Sequence, residues 1–194
     1  MNINKYLAPS EYIGWQHPTI LVQAKILAEG CSNHIDISRN CFNFVRDDIK
    51  HSGDYNLNPV TFKASDVLIH GTGFCYAKSH LLAALLRANN IAAGLCYQRL
   101  TITERPPLCL HGLNAVYLED FGWYRMDARG NKPGVSAQFC PPTEQLAFAI
   151  VTPGKTDFSG ICAEPISLVI QRFKQYASVA AVANNLPDIG LDDI

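Results

Sequence analysis

The sequence has no long apolar run, no strong excess of charge of either sign and no C-x-x-C pair. No stretch approaches the length of a membrane span, and residues 1–20 contain no apolar segment after a basic start. A formal net charge of -1 gives no reason to expect nucleic acid or an anionic membrane as a partner. We therefore expect a cytoplasmic protein that contacts neither membrane nor nucleic acid.

The cysteine and histidine content argues against structural cross-links. Seven cysteines are an odd number, and their irregular spacing is typical neither of a disulfide framework nor of a paired-cysteine zinc site. Cys31 and His34 lie three residues apart, but no second such pair accompanies them. We expect no metal and no cofactor.

The chain is long enough for one well-packed domain and short for two, since its 194 residues are 48% apolar and 17% charged. No internal repeat and no low-complexity linker divides it. The sequence therefore predicts a single domain over residues 1–194.

Helical patterns dominate the first half of the chain. Residues 17–30 have Pro18 near the start and Gly30 at the end, and an amphipathic helix is predicted from about residue 38 to residue 49. Residues 76–89 contain no Gly or Pro and carry a continuous leucine stripe, which predicts a buried core helix. A last helix is predicted over residues 165–183, and the acidic end of the chain is predicted to be mobile.

Strand patterns follow the core helix at residues 93–103, 108–118 and 122–130, which together predict an antiparallel sheet packed against that helix. The last two strands are joined by a hairpin turn at "EDFG". The midpoint between His111 and Asp127 falls at Glu119, inside this turn. The two side chains are therefore predicted to lie within a residue or two of facing each other.

Cys75 follows the glycine-bracketed turn "GTGF" and lies in the first turn of the core helix. The unpaired amides and the positive end of the helix dipole favour the thiolate of a cysteine placed there. Taken alone, Cys75 could equally be a small buried core residue. Together with a histidine facing an acid, it provides the parts for nucleophilic acyl transfer, with Cys75 as nucleophile, His111 as its partner and Asp127 orienting the imidazole.

These segments resemble the transglutaminase-like superfamily. "GFCYAKSHLLAALLRANNIAAG" is similar to its cysteine motif, and "LHGLNAVYL" and "GWYRMDARG" are similar to its histidine and aspartate motifs, over about residues 38–132. The resemblance implies an α+β fold related to papain-like proteases, with the catalytic cysteine on a central helix against an antiparallel sheet. It also implies a Cys75-His111-Asp127 triad, as in small bacterial members described as candidate cysteine proteases.

The walls of such a site are less defined by the sequence. A family member often has an aromatic residue soon after the histidine, where this chain has Gly112 to Ala115, which puts the substrate class in doubt. The Cys75 amide could donate to an oxyanion, and the candidates for a second donor are His70, Tyr76, Gln98 and Asn114. Trp123 and Tyr124 could either line the cleft or pack in the core.

The sequence favours a cysteine protease or amidase that cleaves an amide or peptide bond through a thioester. It leaves open whether water or an amine resolves the thioester, and thus whether the protein hydrolyses or cross-links. An acyl-CoA-dependent N-acetyltransferase is an alternative, although the Arg-Gly-Gly that precedes the cysteine in arylamine acetyltransferases is absent. A second alternative is a non-catalytic binding module that retains this fold. The sequence does not predict the oligomeric state.

Overall fold

The computed structural model describes residues 2–101, 107–151 and 154–190. The fold is mixed α+β, as predicted, with the helices of the first half gathered around one central helix. After a 3-10 helix at Ile3–Tyr6, the helices are α1 (Pro18–Ala28), α2 (His34–Asp47), α3 (Ser52–Tyr55), α4 (Ala64–His70), α5 (Cys75–Ala88), α6 (Ser167–Gln175) and α7 (Val179–Ala183). The strands are β1 (Lys50–His51), β2 (Thr72–Gly73), β3 (Ala93–Thr101), β4 (Leu108–Leu118), β5 (Gly122–Met126), β6 (Gln138–Cys140), β7 (Thr143–Gln145) and β8 (Thr156–Asp157).

The central helix is α5, and every residue from Cys75 to Arg87 is buried. Helices α1, α2 and α4 pack around it on one side, and strands β3 and β4 cover the other. Each buried leucine of the helix contributes about 1.5–3 kcal/mol through removal of apolar surface from water. The cost of burying the Arg87 guanidinium is offset by hydrogen bonds of 2.6–3.0 Å that it donates to the backbone carbonyls of Ala8, Ala93 and Ala163. The helix is thereby joined to both the N-terminal segment and the segment before α6.

The main sheet has the strand order β5-β4-β3-β8, and each neighbouring pair is antiparallel. The hairpin between β4 and β5 pairs Leu118 with Gly122, whose φ of +72° suits a glycine in this turn. All three predicted strands are present, although Ile102 and Thr103 lie outside the described residues. The prediction of an antiparallel sheet against a core helix is confirmed.

Two helix boundaries differ from the prediction. Helix α2 begins at His34 rather than near residue 38, because the Asn33 side chain accepts a hydrogen bond from the Asp36 amide at 2.8 Å and caps the helix earlier. The single helix predicted over residues 165–183 is two helices. Tyr176 has extended backbone dihedrals, and the Ser178 side chain caps α7 as a separate element.

The end of the chain also departs from the prediction of mobility. The carbonyl of Pro187 accepts a hydrogen bond from the Leu110 amide at 2.8 Å, and Asp188 forms an ion pair with Arg99. Leu186 and Ile189 pack against the core. Residues 186–189 are therefore docked on the sheet, whereas residues 191–194 lie outside the described part of the chain.

None of the helices within the described ranges is long and apolar enough to cross a membrane.

Candidate active site

Cys75 is the first residue of α5, directly after the N-cap Phe74. A residue at this position has an amide with no partner inside the helix, so the Cys75 amide is available to a ligand. The approach to the helix is fixed by β2, which pairs in parallel with β1, and by a 2.8 Å hydrogen bond from the Thr61 hydroxyl to the Thr72 carbonyl. Cys75 is 7% exposed, so its thiol lies just beneath the surface.

His111 and Asp127 form a buried pair, with 2.7 Å between Nε2 and Oδ2. The register of the β4-β5 hairpin places Asn114 opposite Met126, so that Asp127 lies one residue past β5 and two residues from the position opposite His111. That offset keeps both side chains on the same face of the sheet. The predicted pairing of His111 with Asp127 is confirmed.

Asp127 is fully buried and remains an anion because its oxygens are satisfied. Burial alone would raise its pKa, but the charge and hydrogen bond of His111 and the backbone amides of Arg129 and Ala147, each at 3.1 Å, bring the pKa below its ordinary value. The carboxylate thus has fixed partners on both oxygens. It holds the imidazole in a single orientation.

The charge of His111 is set by its two acidic neighbours. Burial favours the neutral imidazole, but Asp127 and Cys75 outweigh it through their charges and side-chain hydrogen bonds, and raise the pKa of His111 to about 10. Cys75 therefore lies close enough to the imidazole to influence its charge. The structure brings all three residues singled out in the sequence to one place.

An aromatic wall next to His111 comes from Phe148, which the sequence did not reveal. The two rings are perpendicular, with centroids 5.0 Å apart. The Arg129 guanidinium lies over the Phe148 ring, 5.7 Å from its centroid. Phe148 lies far along the chain in a segment without regular structure, so no periodic pattern could have placed it here.

The aromatic residues considered for this role in the sequence lie elsewhere. Trp123 packs edge-on against Tyr6 and Tyr117, and Tyr124 packs edge-on against Phe139. The packing alternative for Trp123 and Tyr124 is therefore the correct one.

Three of the four side chains considered as second oxyanion donors already donate hydrogen bonds within the fold. Asn114 donates to two backbone carbonyls at 2.9 and 3.2 Å, and Gln98 donates to a carboxylate at 2.8 Å. The Tyr76 hydroxyl donates to the Leu110 carbonyl, and His70 is exposed at the end of α4. These contacts are structural.

His51 is a further polar side chain near the start of α5. It pairs with Gly73 across β1 and β2, and its ring packs against Phe74 with 5.6 Å between centroids. Its Nδ1 accepts a hydrogen bond from the Asp54 amide at 3.3 Å, which leaves the proton on Nε2. Burial and the charge of Arg129 keep the pKa of His51 well below its ordinary value. The ring is thus a neutral donor.

A polar cavity of about 340 Å³ opens beside this region, between the segments around residues 46–55 and 130–132. The amine of Lys78, one turn after Cys75, contributes to its wall and donates to the carbonyls of Ile49 at 2.6 Å and Arg46 at 3.4 Å. Burial lowers the pKa of Lys78 to about 7. Asp54, on the same wall, binds Arg129 at 2.7 and 2.9 Å.

Across the described ranges, no group of three or more His, Cys, Asp or Glu side chains is arranged to hold a metal ion.

The comparisons with known proteins follow the same segments. The model of the transglutaminase-like superfamily matches residues 23–128, more than half of the chain, and the chain belongs to this family. The match includes the cysteine, histidine and aspartate motifs, with Asp127 at its end. Among the curated proteins, none matches the chain.

Two solved structures resemble the chain more distantly. A candidate cysteine protease from Cytophaga hutchinsonii has 22% identity and a TM-score of 0.49, over 66% of this chain and 42% of that one. A candidate protease from Parabacteroides distasonis has 12% identity and a TM-score of 0.46, over 84% of this chain and 30% of that one. The chain thus spans less than half the length of either protein.

Proposed function

We propose that the protein is a cysteine-dependent hydrolase that cleaves an amide or peptide bond, with Cys75 as nucleophile, His111 as acid and base, and Asp127 as the residue that orients the imidazole. The observation that carries this proposal is the buried His111, whose pKa is raised to about 10 by Asp127 and Cys75 together. An imidazolium beside a thiol stabilises the thiolate. Membership of the transglutaminase-like superfamily supports the same assignment.

The first half of the reaction follows from the orientation of the imidazole. The Asp127 carboxylate accepts the hydrogen bond of His111 Nε2–H, which leaves Nδ1 of the imidazole for the Cys75 sulfur. The thiolate attacks the carbonyl carbon and forms a tetrahedral intermediate. As the C–N bond breaks, the leaving amine takes the proton from His111, and the acyl group remains on Cys75 as a thioester.

The second half regenerates the enzyme. Neutral His111 takes a proton from a water molecule, whose oxygen attacks the thioester carbonyl and releases the carboxylic acid. The departing sulfur is again a thiolate beside a protonated His111. An amine in place of water would give transamidation through the same intermediate, and the abundance of water favours hydrolysis.

The negative oxygen of each tetrahedral intermediate needs donors that are already in place. The Cys75 amide at the start of α5 is one. We assign His51 Nε2–H as the second, because its strand pairs with Gly73, its ring packs on Phe74 and its imidazole is neutral. A neutral ring donates a hydrogen bond from Nε2–H to the oxyanion and carries no charge that would compete with His111 for the thiolate.

The test is alkylation of each cysteine in the native protein across pH, read by peptide mass spectrometry. Cys75 is expected to react rapidly below pH 7 and to lose this reactivity in His111→Ala. Exposed Cys140 serves as a solvent-accessible comparison thiol in the same sample, and Cys41, whose pKa is raised by burial to about 12, as an unreactive one.

Turnover supplies the second half of the test, with a library of peptides and amides as substrates. Acylation requires protonated His111, so its rate should fall as the pH rises through about 10, the pKa of that group. Cys75→Ala should abolish cleavage. If Cys75 titrates like Cys140 and no substrate is cleaved, the protein is a binding module and the proposal is wrong.

A further inference from the structure

The outer edge of β4 is only partly covered by β5. The β4-β5 pairing runs from Asn114 to Leu118, so within the described residues the part of β4 before residue 114 has no strand of the sheet on that side. Leu110 pairs with Arg99 on the inner side. Its amide and carbonyl both bond away from β3, since the amide donates to Pro187 and the carbonyl accepts from the Tyr76 hydroxyl.

This part of the β4 edge lies beside the proposed active site. Leu110 immediately precedes His111, and Tyr76 immediately follows Cys75. A chain that pairs with the Leu110 amide is therefore placed at the junction of β4 with the start of α5. That is where the acyl part of a peptide substrate has to lie for the thiolate to reach its carbonyl carbon.

The chain's own segment of residues 186–189 lies along this edge. Pro187, whose carbonyl accepts the 2.8 Å hydrogen bond from Leu110, is buried. The next residue, Asp188, binds the Arg99 guanidinium through two hydrogen bonds of 2.7 and 2.6 Å. Leu186 on the other side packs against the core.

The charges of Asp188 and Cys75 act on the same two side chains, those of Cys109 and Tyr76. Burial, and then the charges of Cys75 and Asp188, raise the pKa of Cys109 to about 12. The same two charged groups also act on Tyr76, whose pKa is raised mainly by burial. Asp188 therefore lies close to the same side chains as the proposed nucleophile.

A backbone hydrogen bond to a sheet edge, a buried proline and an acid paired with arginine are the features by which extended peptides are recognised. We propose that the edge of β4 at Leu110 is a binding site for an extended peptide with an apolar-proline-acid sequence. Arg99 reads the acidic side chain, and residues 186–189 occupy the site in the resting protein. As a substrate site, this inference rests on the proposed function.

A segment tethered to the same chain competes strongly with any free peptide, because its effective concentration at the site is in the millimolar range or above. A substrate must therefore displace the segment before it is cleaved. Weakening the Asp188-Arg99 contact should open the site and expose the Leu110 amide.

The experiment uses charge reversal in the intact chain. Asp188→Lys and Arg99→Glu should each speed hydrogen exchange at the Leu110 amide about two- to tenfold, since each replaces an ion pair by a repulsion. The double variant, in which the charges are swapped, should restore slow exchange. Asp120→Lys, the same charge change in the exposed β4-β5 turn, should leave exchange at Leu110 unchanged.

The binding site itself is probed with a synthetic peptide of residues 184–190, NNLPDIG, added to the Asp188→Lys variant. The peptide should bind and slow exchange at Leu110 again, whereas NNLPKIG should bind only to the Arg99→Glu variant. Exchange that is insensitive to both reversals, or peptide binding that leaves Leu110 unprotected, would overturn the inference.

Failure of this inference and failure of the proposed function have different signatures. Exchange and peptide binding need no turnover and can be repeated in Cys75→Ala. A peptide that protects Leu110 but is never cleaved supports the binding site and counts against the hydrolase. A reactive Cys75 with cleavage of other peptides, but without protection of Leu110, supports the hydrolase and refutes the binding site.

Discussion

Lys78 is a cationic side chain on a helix whose residues from Cys75 to Arg87 are all buried, and it is itself only 1% exposed. Its ammonium group is satisfied by the carbonyls of Ile49 and Arg46, yet burial still lowers its pKa from 10.5 to about 7. The folded protein therefore binds fewer protons than the unfolded chain between these two values. Burial of the charge destabilises the fold fully below pH 7, and this cost disappears as the pH approaches 10.5.

Lys78→Met should therefore stabilise the protein most below pH 7. We expect a gain of about 1–3 kcal/mol there, because two lost hydrogen bonds offset part of the relieved desolvation. Thermal unfolding midpoints measured across pH should show the advantage shrinking as the pH rises. Lys25→Met, at an exposed position on α1, is the matched control. A difference that does not change with pH would contradict a buried ammonium of lowered pKa.

The site residues that could be predicted from the sequence are those whose positions depend on a local signal or on a single hairpin. Cys75 follows from a helix start, and the contact of His111 with Asp127 follows from symmetry about one turn. Phe148 and His51 reach the site from segments of irregular structure or very short strands, whose placement depends on tertiary packing. No periodicity marks such residues, so they could not be predicted from the sequence.

At the scale of elements, the close approach of α5 to β4 depends on Gly112. A Cβ atom added at this position would lie 3.0 Å from both the Cα and the Cδ1 of Tyr76. Such contacts are tighter than most real Cβ contacts, so Tyr76 would have to move by a few tenths of an ångström, and its Cα belongs to a buried helix that cannot shift easily. Absence of a side chain at Gly112 thus sets the spacing between Tyr76, next to Cys75, and His111.

Gly112→Ala should push β4 away from the start of α5. We expect a loss of about 1–3 kcal/mol in the free energy of unfolding, together with a lower alkylation rate at Cys75 because its contact with His111 is lengthened. Denaturant unfolding and the alkylation assay measure the two effects. Gly160→Ala, where an added Cβ meets nothing within 4 Å, should change neither. Equal stability of both variants would show that β4 and α5 can separate at little cost.

Element boundaries were predicted well where the signal is local, and less well where side-chain caps decide. Proline and glycine mark the ends of α1 and of the turn before α5, and both were read correctly. The division between α6 and α7 depends on an extended Tyr176 and a capping Ser178 within a sequence of otherwise continuous helical character. A capping hydrogen bond from a side chain to the backbone competes with continuation of the helix, and tertiary packing decides which of the two forms.

For the whole molecule, the α+β class and the sheet against a central helix followed from the change of period after residue 90. The docking of residues 186–189 did not, because its contacts join positions about 80 to 90 residues apart, such as Arg99 and Asp188. An acidic, polar chain end has the composition of a mobile terminus. The segment of residues 186–189 is docked because the fold places Arg99 and the uncovered part of the β4 edge next to it.

Asp54 joins two distant segments of the chain into one wall of the polar cavity. Its carboxylate accepts hydrogen bonds from Arg129 at 2.7 and 2.9 Å and from Lys132 at 2.7 Å. Burial would raise the pKa of Asp54, but these partners hold it well below its ordinary value. The resulting stabilisation is present above the ordinary value of 3.8 and is lost as the pH falls towards the pKa of the folded state.

Asp54→Asn keeps the size of the side chain and removes its charge, which leaves the mostly buried Arg129 without its anion. At neutral pH we expect a loss of about 1–3 kcal/mol in the free energy of unfolding, and the difference from the wild type should shrink as the pH falls below 3.8. Urea unfolding across pH measures it, with Asp120→Asn in the exposed hairpin turn as control. Because the Arg129 amide also binds Asp127, Asp54→Asn should also slow alkylation of Cys75. Unchanged stability at neutral pH would mean that the cluster joins the two segments only geometrically, without a net contribution to the fold.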